Sequence, residues 1–230
     1  MNKPSPELLL SKYEIRREVQ NIMGKYTLHF CVMREYELMK YWSARADISL
    51  AVNDGYFTGQ EAVASWYDCR RAEIETASRL IKARFPKELG DKTEEECMGV
   101  GQIAYRPIDT PVIEVADDLK TAKGLWVVRG SYNRVTPAGP VSYWDWSYLA
   151  ADFIEEDGQW KIWHMILFTD IACPLGQNWG SAKMYEHEGV TPPEPTEPGE
   201  LYKSFGEDYV FEINPEMPEP YDTFANTFSY

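Results

Sequence analysis

Apolar positions change their period along this chain. From Ser5 onward, Leu8, Ile15, Val19, Ile22, Met23, Tyr26, Phe30 and Met33 recur at about the spacing of one helix face. Ser5-Pro6-Glu7 supplies the start: a capping hydroxyl, a proline at the first helical position and an acid in the first turn. Gly24 weakens this helix without ending it. A short second helix is expected over about residues 34–44. Residues 47–58 read as a hairpin turning through Asn53-Asp54-Gly55, where a positive φ is needed. A long helix follows over residues 59–85, with Val63, Tyr67, Ile74, Ala77, Leu80 and Ile81 on its apolar face and Pro86 to stop it.

Beyond a charged loop at residues 87–96 the period becomes that of strands. They are expected at about residues 98–106, 112–115, 121–134, 142–154 and 159–169, with turns at Asp117-Asp118, at residues 136–140 and at residues 155–158. The last two strands are rich in aromatics and carry Asp145 and His164. No internal repeat is present.

After Asp170 the texture changes again. Eight of the 15 prolines lie beyond Cys173. Two Lys and eleven Asp plus Glu give residues 173–230 a charge of −9 out of −14. Residues 191–199 resemble an extended linker. Yet Tyr202, Phe205, Tyr209, Phe211, Tyr221, Phe224, Phe228 and Tyr230 follow, and so many aromatics are expected to dock rather than stay in water. The net charge argues against nucleic acid and anionic membrane surfaces. Cys31, Cys69, Cys97 and Cys173 are scattered without zinc spacing, as expected of reduced thiols in a cytoplasmic protein. No uncharged run approaches a bilayer span and no signal segment is read at the start.

The order of elements resembles the cone-shaped α+β fold of the nuclear-transport-factor-2-like / SnoaL-like superfamily. The residues that carry it are Asp157-Gly158-Gln159-Trp160-Lys161-Ile162, Gly59-Gln60-Glu61-Ala62-Val63 and Thr121-Ala122-Lys123-Gly124-Leu125-Trp126. The resemblance covers about residues 8–171. It implies a curved antiparallel sheet wrapped around N-terminal helices, with a deep pocket between them. The expected organisation is a cone domain over residues 1–172. Residues 173–230 would be an extension packing on the core or on a neighbouring subunit. The nearest functional resemblance is to the bile-acid 7α-dehydratase and scytalone dehydratase group, which implies a working tyrosine at Tyr26. At that group's other positions this chain has Cys97 or a neighbour in place of a histidine, Gly130 in place of an aspartate and Thr169 in place of an arginine. Any acid–base set here is therefore a different one.

Four residues carry candidate acid–base chemistry. Tyr26 and His29 lie three apart on one helix face, where a phenol donates and an imidazole shuttles protons near neutral pH. They are either pocket residues or amphipathic packing. His164 alternates with Trp160, Ile162, Ile166 and Phe168, but both faces of its strand are apolar and a bulge would exchange them. Asp145 is either a carboxylate in an apolar wall, suited to proton transfer, or the ion-pair partner of Arg129. Arg129, Trp126, Trp163 and Tyr143 are the candidate substrate-binding residues. His187, flanked by acids, reads as solvated.

No phosphate-cradling glycine loop, nucleophile elbow or metal spacing is present, which leaves chemistry with neither cofactor nor metal. The expected function is a cofactor-independent lyase or isomerase, most concretely a dehydratase. It would act on a small hydrophobic ring-containing molecule and assemble as a homodimer or homotrimer. The alternative is a non-catalytic ligand-binding or assembly module of the same fold.

Overall fold

The computed structural model describes residues 4–180, 192–199, 201, 203 and 205–230. Ser5 caps α1 (Pro6–Cys31), its hydroxyl accepting from the Leu8 amide. A 3-10 segment, Glu35–Tyr41, replaces the expected second α-helix. Strands β1 (Ser49–Val52) and β2 (Gly55–Thr58) form the expected hairpin. Gly59 opens α2 (Gln60–Arg84).

The region between α2 and the sheet differs from expectation. Pro86–Leu89 forms a short helix, α3, and Glu95–Cys97 a 3-10 turn, where a charged loop was expected. Of the strand expected at residues 98–106 only β3 (Ala104–Tyr105) forms. Gly99 and Gly101 adopt φ of 74° and 72°, which breaks extended pairing there. Strands β4 (Ile108–Val115), β5 (Thr121–Thr136), β6 (Gly139–Glu156) and β7 (Gln159–Pro174) follow. A two-residue β8 (Glu197–Pro198) is added by the C-terminal segment.

Among the described residues the eight strands form one curved, unclosed sheet in the order β3–β5–β6–β7–β1–β2–β8, with β4 also on β5. Among the described strand pairs only β1–β7 is parallel, with one further parallel bridge between Trp42 and Ile162. The architecture is α+β. Val19, Met23, Tyr26 and Phe30 of α1, with Val63 and Tyr67 of α2, pack into the concave face against Trp126, Val128, Leu149, Ala151, Phe153, Ile162 and Met165. Each such side chain withdrawn from water is worth about 1.5–3 kcal/mol, so this layer fixes the helices on the sheet.

The convex face is covered by the chain's own C-terminal segment. Leu125, Ala150, Ile166 and Phe168 form its apolar layer with Leu201, Phe228 and Tyr230. Backbone bonds pin the segment at several points: Leu201 N–H to Asn53 O, Phe205 N–H to Asp170 O and Asp117 N–H to Tyr221 O. Docking of the aromatics is uneven. Tyr221 and Tyr230 are 7% and 4% exposed, whereas Phe211 is 41% exposed. Tyr202 and His187 lie outside the described residues.

One irregularity decides which strand face meets the helices. Phe153 pairs with Ile162 and Asp152 with His164, so Trp163 is an extra residue in β7. This bulge reverses the alternation. Trp160 and Ile162 face the concave core, whereas Ile166 and Phe168 face the convex side.

Candidate active site

A cleft of about 810 Å³ opens between the helices and the sheet. Its helical wall comes from Trp66, Arg70, Glu73, Ile74 and Ala77, at three- and four-residue spacings along one face of α2, and from Phe30 and Met33 at the end of α1. Tyr132, Asp145, Leu167, Thr169 and Ala172 of the sheet form the opposite wall. Arg106, just after β3, closes a third side, and the Pro192–Pro195 stretch runs along the rim. This volume falls within the roughly 300–1,000 Å³ of small-molecule sites.

The polar centre of the cleft is a side-on ion pair. Arg106 Nε lies 2.8 Å from Asp145 Oδ2, and Nη2 donates to Asp145 Oδ1 at 3.1 Å and to Ser147 Oγ at 3.0 Å. Ser147 in turn donates to Asp145 Oδ1 at 2.8 Å, and its oxygen is 3.4 Å from the Thr169 hydroxyl. The guanidinium also sits over the Phe30 ring, 5.4 Å from its centroid. Asp145 is 3% exposed, and a carboxylate so buried needs such partners. Gly130, opposite Asp145 in the register, makes room for Arg106: a Cβ there would meet Tyr105 O at 2.2 Å. Arg70 and Glu73 form a second ion pair on the helical wall.

The eight sequence-selected residues do not converge. Asp145 lines the cleft, but its partner is Arg106; Arg129 points to the surface and pairs with Asp109 at 3.1 Å. Tyr26 lies deeper in the core, its hydroxyl 2.7 Å from that of Tyr67, which accepts from Trp42 Nε1 at 3.1 Å. Burial pushes both phenols well above their ordinary pKa, so each keeps its proton. His29 and Tyr26 do share a side of α1, with ring centroids 5.9 and 6.3 Å from that of Tyr41, but neither lines the cleft. Trp126 is wholly buried in the core and donates to Gln20 at 3.3 Å. Tyr143 stacks on the cleft residue Tyr132 at 5.1 Å, outside the lining itself.

The bulge turns His164 to the convex side, and neither it nor Trp163 lines the cleft. His164 Nδ1 is 2.8 Å from Asp152 Oδ2 and 3.0 Å from Ser229 Oγ. Ser, His and Asp thus meet, but on one ring nitrogen; a nucleophilic triad needs the serine and the acid on opposite nitrogens. Lys123 Nζ lies 2.6 Å from Asp152 Oδ1, both side chains fully buried, beneath the rings of Phe224, Phe228 and Tyr230. Burial lowers the Lys123 pKa, while Asp152 pulls it back up. This cluster joins the C-terminal segment to the sheet. Trp163 stacks on His164 and donates to Asp47 at 3.1 Å.

Arg106, Ser147, Glu35 and the Lys123–Asp152 pair were not singled out by sequence. A signal existed only for the last, whose opposite charges sit directly across the β5–β6 register. Among the described residues, no three His, Cys, Asp or Glu side chains are grouped to hold a metal ion, and no helix is long and apolar enough to cross a membrane.

No family model and no curated protein sequence matches the chain. Solved structures resemble it. LinA is 16% identical over 76% of this chain and 99% of that one, with a TM-score of 0.50. A putative scytalone dehydratase from Novosphingobium aromaticivorans is also 16% identical over 76% and 99%, with a TM-score of 0.47. A nuclear-transport-factor-2-like protein with a cystatin-like fold, from the same species, is 15% identical over 68% and 82%, with a TM-score of 0.43. The chain shares the α+β fold of LinA, with helices packed on a curved, unclosed sheet. At these identities the likeness extends to the fold and no further.

Proposed function

We propose that the cleft binds a small, mainly apolar, ring-containing molecule and performs cofactor-independent acid–base chemistry on it, most concretely the loss of water. The observation that supports this is Asp145, a buried carboxylate on an otherwise largely apolar cleft, fixed by Arg106 and Ser147. Asp145 Oδ1 accepts from both Arg106 and Ser147, whereas Oδ2, facing Arg106 Nε alone, keeps a lone pair. In the proposed step Asp145 takes a proton from the carbon next to a C–O bond. The C–O bond breaks as the double bond forms, and the departing hydroxide leaves as water with a proton from the Thr169 hydroxyl; solvent then takes the proton from Asp145 and returns one to Thr169. Arg106 faces the negative charge that develops on the leaving oxygen.

A second reading, ligand binding without catalysis, is favoured by one specific observation. Among the described residues no histidine lines the cleft, and Asp145 is already engaged by two side chains. The test is a panel of hydroxylated cyclic compounds titrated against tryptophan fluorescence, since Trp66 lines the cleft. Binders are then followed by absorbance for new C=C bonds. Under the first reading Asp145→Asn lowers turnover by about 10²–10⁴ with little change in Kd. Saturable binding without turnover in the native protein leaves the second reading standing. No saturable binding by any compound removes both.

A further inference from the structure

Pro192, Pro193, Glu194 and Pro195 form a strap along the cleft, brought there from far along the chain. The strap is fastened just beyond its C-terminal end. β8 pairs with β2, Pro198 opposite Gly55 and Glu197 opposite Tyr56. The Thr58 N–H donates to Thr196 Oγ1 at 3.0 Å, the Gly199 N–H to Asp54 O at 2.9 Å and the Leu201 N–H to Asn53 O at 3.0 Å. Asn53 is itself tied to the sheet wall of the cleft: its Nδ2 donates to Thr169 O at 3.0 Å, and its Oδ1 accepts from the Thr169 N–H at 2.8 Å. Gly55, at φ 150°, admits the close approach. A Cβ there would lie 2.5 Å from Glu197 O and 2.9 Å from Pro195 Cβ.

The composition of the strap suits a wall. Proline has a fixed φ and no N–H, so the stretch runs extended without ladder partners and is semi-rigid. Pro193 and Pro195 are half-buried, whereas Pro192 and Glu194 are exposed. The half-buried rings offer apolar surface and no donor, so they discriminate by shape and not by hydrogen bonding. The other walls are α2 and the sheet, which the concave core fixes in place. The strap is therefore the wall that can change size without disturbing the pair of Arg106 and Asp145.

We propose that Pro193 and Pro195 are specificity-determining residues of the cleft and set the upper size of the ring system it accepts. This rests on the ligand-binding reading of the cleft. Asp145 and Arg106 would orient the polar group of the ligand, and the strap would limit how far its rings extend.

The experiment titrates the intact chain with cyclohexanol, 2-decalol and perhydro-9-phenanthrol, followed by tryptophan fluorescence because Trp66 lines the cleft. These saturated alcohols differ by one ring at each step. The readout is the ratio of Kd values between successive members, in which a loss of folded fraction cancels. In the double variant Pro193→Ala, Pro195→Ala each substitution removes two ring carbons from the wall. The ratio should shift by about tenfold in favour of the larger ring system. Gly55→Ala lies outside the lining but pushes the strap away from β2, and should shift the ratio in the same direction. The double variant leaves Gly55 and its turn intact, so it carries the test where Gly55→Ala fails to fold. An alcohol that saturates the double variant but not the native chain also supports the proposal. An unchanged order and ratio of affinities in the double variant overturns it and leaves the ligand-binding reading intact, as does a shift toward smaller rings. No saturable binding of any of the three to either chain removes that reading, and the proposal with it.

Discussion

Arg106 and Asp145 meet side-on in the wall of the cleft, and their side chains are only 12% and 5% exposed. A pair so far from water is worth little against an apolar replacement, but removing one member strands the other. Arg106→Ala should therefore cost about 3–5 kcal/mol in urea denaturation. Replacing both residues with apolar ones of similar size should recover most of that loss. A single-mutant cost below about 1 kcal/mol would mean that solvent screens the pair.

Glu35 should make stability depend on pH in the direction opposite to an ordinary ion-paired acid. Its folded pKa is raised by burial, from 4.5 to about 7, so the folded state holds the proton more tightly than the unfolded chain. The contribution is fully present below about 4.5 and is lost as pH rises through about 7. The full difference is on the order of 3 kcal/mol at about 1.4 kcal/mol per pH unit. Glu35→Gln should be more stable than the native chain above pH 7, and the two should converge near pH 4. Denaturant melts at pH 4, 6 and 8 check this, and parallel curves at all three would remove Glu35 as the source.

The fold was legible where periodicity is strong and the site was not. Residues 5–33 and 59–85 carry helical spacing with end signals, and α1 and α2 form within a few residues of those limits. The aromatic strand pair is β6 and β7, extended beyond the expected ends by mutual pairing. Which face of β7 meets the helices depended on the bulge at Trp163, and nothing in an apolar run of both phases marks a bulge. Arg106 follows a two-residue strand and precedes Pro107, so no periodicity points it at Asp145. Lys123 and Asp152 lie on a face that reads as solvent-exposed until the C-terminal segment, about 70 residues further along, covers it. These are long-range facts that local pattern does not encode.

The C-terminal segment should be an integral part of the folded protein. Removing residues 221–230 takes the rings of Phe224, Phe228 and Tyr230 off Lys123, and removes the Tyr230 N–H bond of 2.9 Å to Asp152. A fully buried ion pair would then face water together with the apolar surface of Leu125, Ile166 and Phe168. The truncated chain should lose about 3 kcal/mol or more, from two or more buried aromatics alone. It should also self-associate through the bared face. Calorimetric melting and mass in solution test this. An unchanged melting temperature and mass would reduce the segment to an acidic appendage.

Gly130→Ala should damage the cleft from outside it. A Cβ on Gly130 would lie 2.2 Å from Tyr105 O, 2.9 Å from Arg106 Cα and 3.1 Å from Arg106 Cγ. Two of these contacts are to backbone, so relief requires moving β3 and, with it, the residue that holds Asp145. Overpacking of this kind costs about 1–3 kcal/mol. The displaced guanidinium should also weaken ligand binding in the cleft by about tenfold, the equivalent of about 1.4 kcal/mol, roughly one charged hydrogen bond. Gly24→Ala is the control, because nothing lies within 4 Å of the added carbon and the site is mid-helix. It should leave binding unchanged and raise stability by up to about 1 kcal/mol. Urea denaturation and ligand titration of the two variants side by side decide the matter. If Gly130→Ala behaves like Gly24→Ala, then the close approach of β3 to β5 does not position Arg106.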